Sequence, residues 1–294
     1  INIFSKRASE WFSGVYVMPA CNGPVLIGGM HRSGTSLLSR LLQQSGVFLG
    51  QDLEDNDESM FYIVLNDWLL NCSGGCWWDP RSVQRLLDSD SLKELTEDYL
   101  FKRVGGLSSL RYRGVFRSSA CVGLLSGWKD PRNTFTFPVW KSMFPHAKII
   151  LPVRHGVDVA ASLCKRNHKT LASSQKRRKL ISKFYSYKGK SGSFVESPFF
   201  TIHSNFELWE RYMYMISAIK KTYQDDVFTY KYEDLIENPE AVVKGISEFL
   251  GLAIPLPLEK LNQARSNSYV SDPELLAYYN KHASFSSYMK EWGY

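Results

Sequence analysis

The chain has 294 residues, 44% of them hydrophobic and 22% charged, which is ordinary globular usage and excludes collagen-like, disordered and disulfide-scaffold proteins. Such a length supports a sizeable core, and α/β folds of about 250 residues commonly form one unit, so a single domain over 1–294 is expected. Lys and Arg number 36 against 29 Asp and Glu, a balance of +7; ten of the basic residues lie between Lys165 and Lys190 with no acidic residue among them, so the rest of the chain carries −3.

The first segment carries Lys6, Arg7 and Glu10 where a signal peptide needs an apolar stretch, and no window of about 18 apolar residues offers a bilayer span. The chain begins at Ile1 rather than Met, which leaves room for a targeting or anchoring segment upstream. Residues 24–29 read as a short buried strand running into a glycine turn, and Leu37, Leu38, Leu41 and Leu42 predict a helix over 34–45. A helical pattern occupies 92–104. A second strand is expected at 147–153, followed by a helix over about 156–166 with Val157, Ala160, Ala161 and Cys164 on one face. Next comes a basic insertion at about 167–200 that reads as a flexible stretch, ending in Gly189-Lys190-Ser191-Gly192-Ser193. Only Phe184, Tyr185 and Tyr187 interleave its cations, which is thin for stacking on bases and favours a lid over an anionic ligand.

Helices over 206–223 and Pro239–Leu250 flank a strand at 227–232, and Pro255-Leu256-Pro257 ends the pattern before a tail of loop and short helix that closes over a site. Strands alternating with helices of this length predict an α/β fold: a central parallel sheet covered by helices on both faces. Five scattered cysteines (Cys21, Cys72, Cys76, Cys121, Cys164) argue against a disulfide framework and for free thiols in a reducing, cytoplasmic setting. Cys72-x3-Cys76 has no second ligand pair nearby, so no zinc site is expected.

Gly29-Met30-His31-Arg32-Ser33-Gly34-Thr35-Ser36 lies between strand and helix, where backbone N–H groups and a helix N-terminus receive a phosphate. Its spacing is that of a P-loop, but Thr35 stands where a nucleoside triphosphate site needs Lys, and Arg32 supplies the cation instead. A second candidate anion site follows the second strand. Arg154 ends it, Ser162 lies eight residues on, and Arg166 follows one helical turn later. Two anion sites on adjacent βα units suit a nucleotide phosphorylated at both ends of its ribose.

These residues resemble the sulfotransferases that use 3′-phosphoadenosine-5′-phosphosulfate (PAPS). The family's 5′-phosphosulfate loop resembles 28–36, with Arg32, Ser33, Gly34, Thr35 and Ser36 as donor-binding positions, and its 3′-phosphate motif resembles the stretch from Arg154 to Ser162. Trp128-Lys129-Asp130-Pro131 is similar to a Lys-Asp-Pro segment of tyrosylprotein and bacterial carbohydrate-type members, and Tyr232-Glu233-Asp234-Leu235 to a segment bordering the adenine. The likeness runs from about Pro24 to Ser266. It implies that Arg166 adds to the 3′-phosphate site, that Ser266 lies near the sulfate, and that PAPS is consumed to 3′,5′-ADP.

Sulfuryl transfer should pass through a loose in-line transition state that builds charge on the leaving phosphate. Arg32, residues 33–36 and Lys129 fit the cationic and N–H donor roles this requires, with no metal. For the base, Glu58-Ser59-Met60-Phe61-Tyr62 is similar to a heparan-type pattern and makes Glu58 the first choice, with Asp52, Glu54 and His31 as alternatives. Trp77, Trp78, the acidic run 52–58 and parts of the basic insertion should line a pocket for a carbohydrate or small natural product, with a peptide tyrosine third. No nucleic-acid or membrane partner is expected. The rival readings are a P-loop kinase, which would need Lys at position 35 and a metal-ligand set, and a basic nucleic-acid-binding module.

Overall fold

The computed structural model describes residues 23–79, 83–114, 125–181, 201–256 and 266–294, with the backbone alone for 170–181. The elements in chain order are β1 (Val25–Ile27), α1 (Thr35–Gln44), α2 (Met60–Cys72), α3 (Gln84–Leu87), α4 (Asp90–Gly105), α5 (Leu110–Arg113), β2 (Gly127–Lys129) and α6 (Asn133–Met143). They continue with β3 (Lys148–Val153), α7 (Gly156–Ile181), α8 (Ile202–Tyr223), β4 (Val227–Lys231), α9 (Tyr232–Glu237), α10 (Pro239–Leu250), α11 (Pro273–Lys281) and α12 (Ser287–Glu291).

All four strands are parallel, in the order β2-β1-β3-β4, with Leu26 opposite Trp128 on one side and Ile149 on the other. Side chains alternate between faces along a strand, and both faces here are apolar. Leu26, Ile149, Leu151 and Val153 join a core with α2, α6, α7 and α8, whereas Val25, Ile27 and Ile150 join a second core with α1 and α10. The expected α/β architecture is therefore present.

The longest elements that go beyond the sequence expectation are α2 and α6; strand β2 and the short helices α3, α5 and α9 do so as well. A further difference concerns the basic run. Helix α7 continues to Ile181 rather than ending near 166, so the first part of that run is helical and not a flexible loop. Residues 165–181 contain neither Gly nor Pro and are rich in Lys and Arg, both good helix formers, so nothing stops the helix. The Gly189 to Ser193 stretch lies outside the described residues. No helix among the described residues is long and apolar enough to cross a membrane, and none of Cys72, Cys76 and Cys164 is in a disulfide.

Helix α2 bears on the site because it follows Glu58 directly. Its first turn is capped by Ser59, and the Asp52 carboxylate accepts from Ser59 Oγ (2.8 Å) and Phe61 N (2.6 Å). Further along, Asn66 donates to Asp130 Oδ2 (2.9 Å) and Asn133 Oδ1 (2.8 Å) and accepts from Thr136 Oγ1 (2.8 Å) and Trp140 Nε1 (2.8 Å). The buried amide is thus fully satisfied, and it ties α2 to the segment holding Lys129. Tyr62 adds a parallel stack on Trp128, with centroids 3.7 Å apart. Asn66→Ala should cost about 3 kcal/mol, because several buried partners lose their bond at once. Urea unfolding checks this; a loss under about 1 kcal/mol would assign the anchoring of α2 to the Tyr62 stack instead.

Candidate active site

In a parallel sheet, ligands bind at the carboxyl edge where the strand order reverses. Here the reversal lies at β1, whose neighbours are β2 and β3, so the loops after β1 and β3 emerge side by side. The loop after β1 closes through three left-handed residues, Gly29 (φ 94°), Arg32 (φ 72°) and Gly34 (φ 94°). A Cβ on Gly34 would lie 2.5 Å from the Tyr232 ring, so that position has room only for glycine. Gly29 N donates to Thr134 Oγ1 (2.8 Å), and both donors of Ser33 go to the Met30 carbonyl, at 3.2 Å from N and 2.6 Å from Oγ. Ser33 therefore shapes the loop from within. Helix α1 then starts with no side-chain cap, and Gly34, Thr35 and Ser36 line a cavity of about 1480 Å³.

The second loop meets the first through Arg32. Arg154 Nη1 donates to the Arg32 carbonyl (3.1 Å) and Arg32 Nε donates to Ser162 Oγ (2.9 Å), while the Arg154 guanidinium lies 5.0 Å from the Tyr232 ring centroid. Four predicted donor-site residues, 32, 154, 162 and 232, are thereby brought together. Arg166 lines the same cavity but lies over the Trp77 ring (5.3 Å) beside Asn167. Ser268 is among the lining residues but Ser266 is not, and the Ser266 hydroxyl is buried without a hydrogen-bond partner among the described residues.

On the same cavity Lys129, 2% exposed, donates to Glu58 Oε1 (2.6 Å), the Asn56 carbonyl (2.8 Å) and Ser36 Oγ (3.4 Å). The lysine thus spans the gap between the carboxylate and the start of α1. Burial raises the Glu58 carboxyl above its ordinary range, with Lys129 pulling the other way and Asp130 adding to the rise. His31 is held well below its usual value, first by burial and then by Arg166, Arg132, Lys129 and Arg32, so its ring stays neutral at pH 7. Its edge meets Trp77 at 4.7 Å. Of the alternative bases, Asp52 is committed to capping α2, and Glu54 lines the cavity. Trp77, Trp78, Glu54, Asp55 and Lys165, expected in part to face an acceptor, also line the cavity.

A sequence model of the sulfotransferase family matches residues 24–255. The chain belongs to the sulfotransferase family. No curated protein matches it in sequence. Among solved structures, the sulfotransferase domain from the curacin biosynthetic pathway is 15% identical, with 90% of this chain and 98% of that one covered at a TM-score of 0.50, a likeness of fold. A sulfotransferase from Alicyclobacillus acidocaldarius is 15% identical over 92% of this chain and 94% of its own, at a TM-score of 0.46. Family membership makes this chain an enzyme of sulfuryl transfer.

Sequence reading missed Asp158 and Asn56, which bind by contacts that no local spacing announces. It also missed the surroundings of His155. That ring stacks on Tyr269 (centroids 3.9 Å apart, 5° between planes), with Tyr279 and Tyr294 beside it, and both its nitrogens are buried without partners. Burial lowers its pKa to about 4, aided by Arg154 and opposed by Asp158. The folded state therefore prefers the neutral ring: this stabilisation is complete above the unfolded value of 6.5 and is lost as pH falls from 6.5 toward 4. The loss should reach roughly 3 kcal/mol, and His155→Phe, which keeps the stack but cannot titrate, should flatten the stability profile in that window. Equal slopes for both proteins in denaturant titrations at pH 7 and pH 4.5 would exclude His155 as the source.

Proposed function

We propose that this sulfotransferase takes its sulfuryl group from PAPS and transfers it to a hydroxyl or amine of a carbohydrate or small natural product, without a metal. The observation that carries this reading is the junction at Arg32, where the loop after β1 and the residues after β3 join by bonds of 2.9 and 3.1 Å on a cavity that Glu58 and Lys129 also line. The donor set suits a ligand with two separated anionic groups: an uncapped helix start for one, Arg154 and Ser162 for the other. The nearby Asp158 carboxylate is occupied by backbone and hydroxyl donors. When bound, PAPS supplies the sulfuryl group and leaves as 3′,5′-ADP.

The chain's own residues then divide the work. Glu58 holds the acceptor proton, its carboxyl raised by burial above the ordinary carboxylate range, which makes it a stronger base than an exposed glutamate. Lys129 keeps that carboxylate in place and sets a cation beside Ser36 and the α1 N-terminus, where negative charge on the leaving group would accumulate. Trp77 and Trp78 offer aromatic faces suited to a sugar ring or a flat small molecule, and Glu54 and Asp55 suit an uncharged or cationic acceptor.

3′,5′-ADP at a hundred times its Kd should stabilise the protein by about 2.7 kcal/mol in a thermal-shift assay, whereas ATP with Mg²⁺ should not. The opposite pattern would make the protein a phosphotransferase. Arg154→Ala should weaken 3′,5′-ADP far more than AMP; equal losses would remove Arg154 from the 3′ end. Glu58→Gln should lower kcat by about a hundredfold or more while leaving 3′,5′-ADP affinity unchanged. Retained turnover would move the base to Glu54 or His31.

A further inference from the structure

The Asp158 carboxylate lies four residues beyond Arg154 and is fully buried. Its Oδ1 accepts from Ser268 Oγ (2.9 Å) and Tyr269 N (2.9 Å), and its Oδ2 from Ser268 N (3.1 Å). Arg154 Nη2 stands farther off, at 3.4 Å. The shorter bonds therefore join two parts of the chain 110 residues apart. The segment they secure continues into the cavity wall through Ser268, Ser271, Asp272, Pro273 and Glu274, on the cavity that Arg154 also lines. The Tyr269 ring, stacked on His155, reinforces the same attachment.

A buried carboxylate beside an anion-reading arginine is unfavourable for binding an anion, since it cancels part of the charge the ligand meets. Its placement requires a separate benefit. We propose that Asp158 is a positioning residue for the donor: it fastens the 268–274 wall across the Arg154 end of the cavity and thereby gives that end the shape that distinguishes a bisphosphorylated nucleotide from a monophosphate. The inference rests on the PAPS reading above.

Charge and positioning predict opposite signs for Asp158→Asn. Removing the negative charge beside Arg154 would, by itself, tighten binding of an anion. Losing the carboxylate, whose amide replacement cannot accept at its nitrogen, releases the wall and loosens binding. The test is calorimetric titration of the full chain with 3′,5′-ADP and with AMP, alongside steady-state kinetics with PAPS and hydrogen exchange over 266–274. For Asp158→Asn the 3′,5′-ADP Kd should rise about tenfold while AMP stays within about threefold, and the KM for PAPS should rise with kcat little changed. Ser268→Ala, which removes one of the three bonds from the wall side, should move 3′,5′-ADP the same way by about threefold.

Exchange over 266–274 should quicken in both variants. Unchanged or tighter 3′,5′-ADP binding by Asp158→Asn, or an equal loss for both nucleotides, overturns the proposal. If that variant does not fold, Ser268→Ala decides: unaltered 3′,5′-ADP affinity with quickened exchange overturns it as well. Failure of the unsubstituted protein to bind 3′,5′-ADP would be a different result, removing the donor reading and this inference with it.

Discussion

The architecture of the site depends on one adjacency, that of β1 and β3 in a parallel sheet. The register that sets Leu26 opposite Ile149 sends Val25 and Ile27 to the core with α1 and α10, and Leu26 to the core with α2, α6, α7 and α8. A slip of one residue would exchange those faces, so burial on both sides fixes the register strongly. It also fixes the height at which the two strands end, and with it the distance between the Arg32 carbonyl and the Arg154 guanidinium. The bond between them is local in space, although 122 residues separate its partners.

A second constraint is the burial of opposite charges at Lys129 and Glu58. Removing either ion from water costs several kcal/mol, and the pair persists because the contact is short and both members find further partners. Lys129 also donates to the Asn56 carbonyl, and a carbonyl so engaged holds the 54–58 turn against α1, where Ser36 Oγ donates to the same oxygen at 3.0 Å. Desolvation outweighs the attraction of Lys129 on the Glu58 carboxyl, which is why its pKa rises despite a cation 2.6 Å away. The surrounding excess of positive charge acts on His31 in the same sense as burial and keeps it uncharged. The cavity thus holds one group inclined to accept a proton and another inclined to stay neutral, and environment rather than residue type makes the difference.

What was legible in the sequence is what depends on neighbours along the chain. The glycine loop, the spacing from Arg154 to Ser162 and the strands around them follow from short-range pattern, and the structure brings Arg32, Arg154, Ser162 and Tyr232 together. Helix α2 escaped because its segment from Met60 to Leu70 is apolar on nearly every side and shows no helical stripe. Strand β2 has three residues, and α6 contains Pro138, which reads as a helix breaker. The roles of Asp158 and Asn66 rest on partners about 60 to 110 residues distant, beyond the reach of any spacing rule. Arg166, expected one helical turn beyond Ser162, lines the same cavity as Arg154 and Ser162 and also lies over the Trp77 ring.

That last contact bears on how such a site can change its acceptor without losing its chemistry. The Trp77 and Trp78 segment is held by backbone carbonyls: Tyr212 OH donates to Trp77 O (3.1 Å) and Arg211 Nη1 to Trp78 O (3.2 Å), both from α8. Carbonyls are common to every residue type, so this attachment does not depend on the indoles themselves. The junction of the loop after β1 with the residues after β3 is braced otherwise, through particular side chains at Arg32, Arg154, Asp158 and Ser162. Exchange of the side chains at 77 and 78 therefore leaves these carbonyl bonds available, whereas exchange at 32, 154, 158 or 162 removes a bonding side chain. Trp77 carries more than its carbonyl, because His31, from the loop after β1, and Arg166, from α7, both rest against its ring. A change at Trp77 would reach both contacts directly, and a change at Trp78, whose ring meets that of Trp77 at 5.5 Å, would reach them through it.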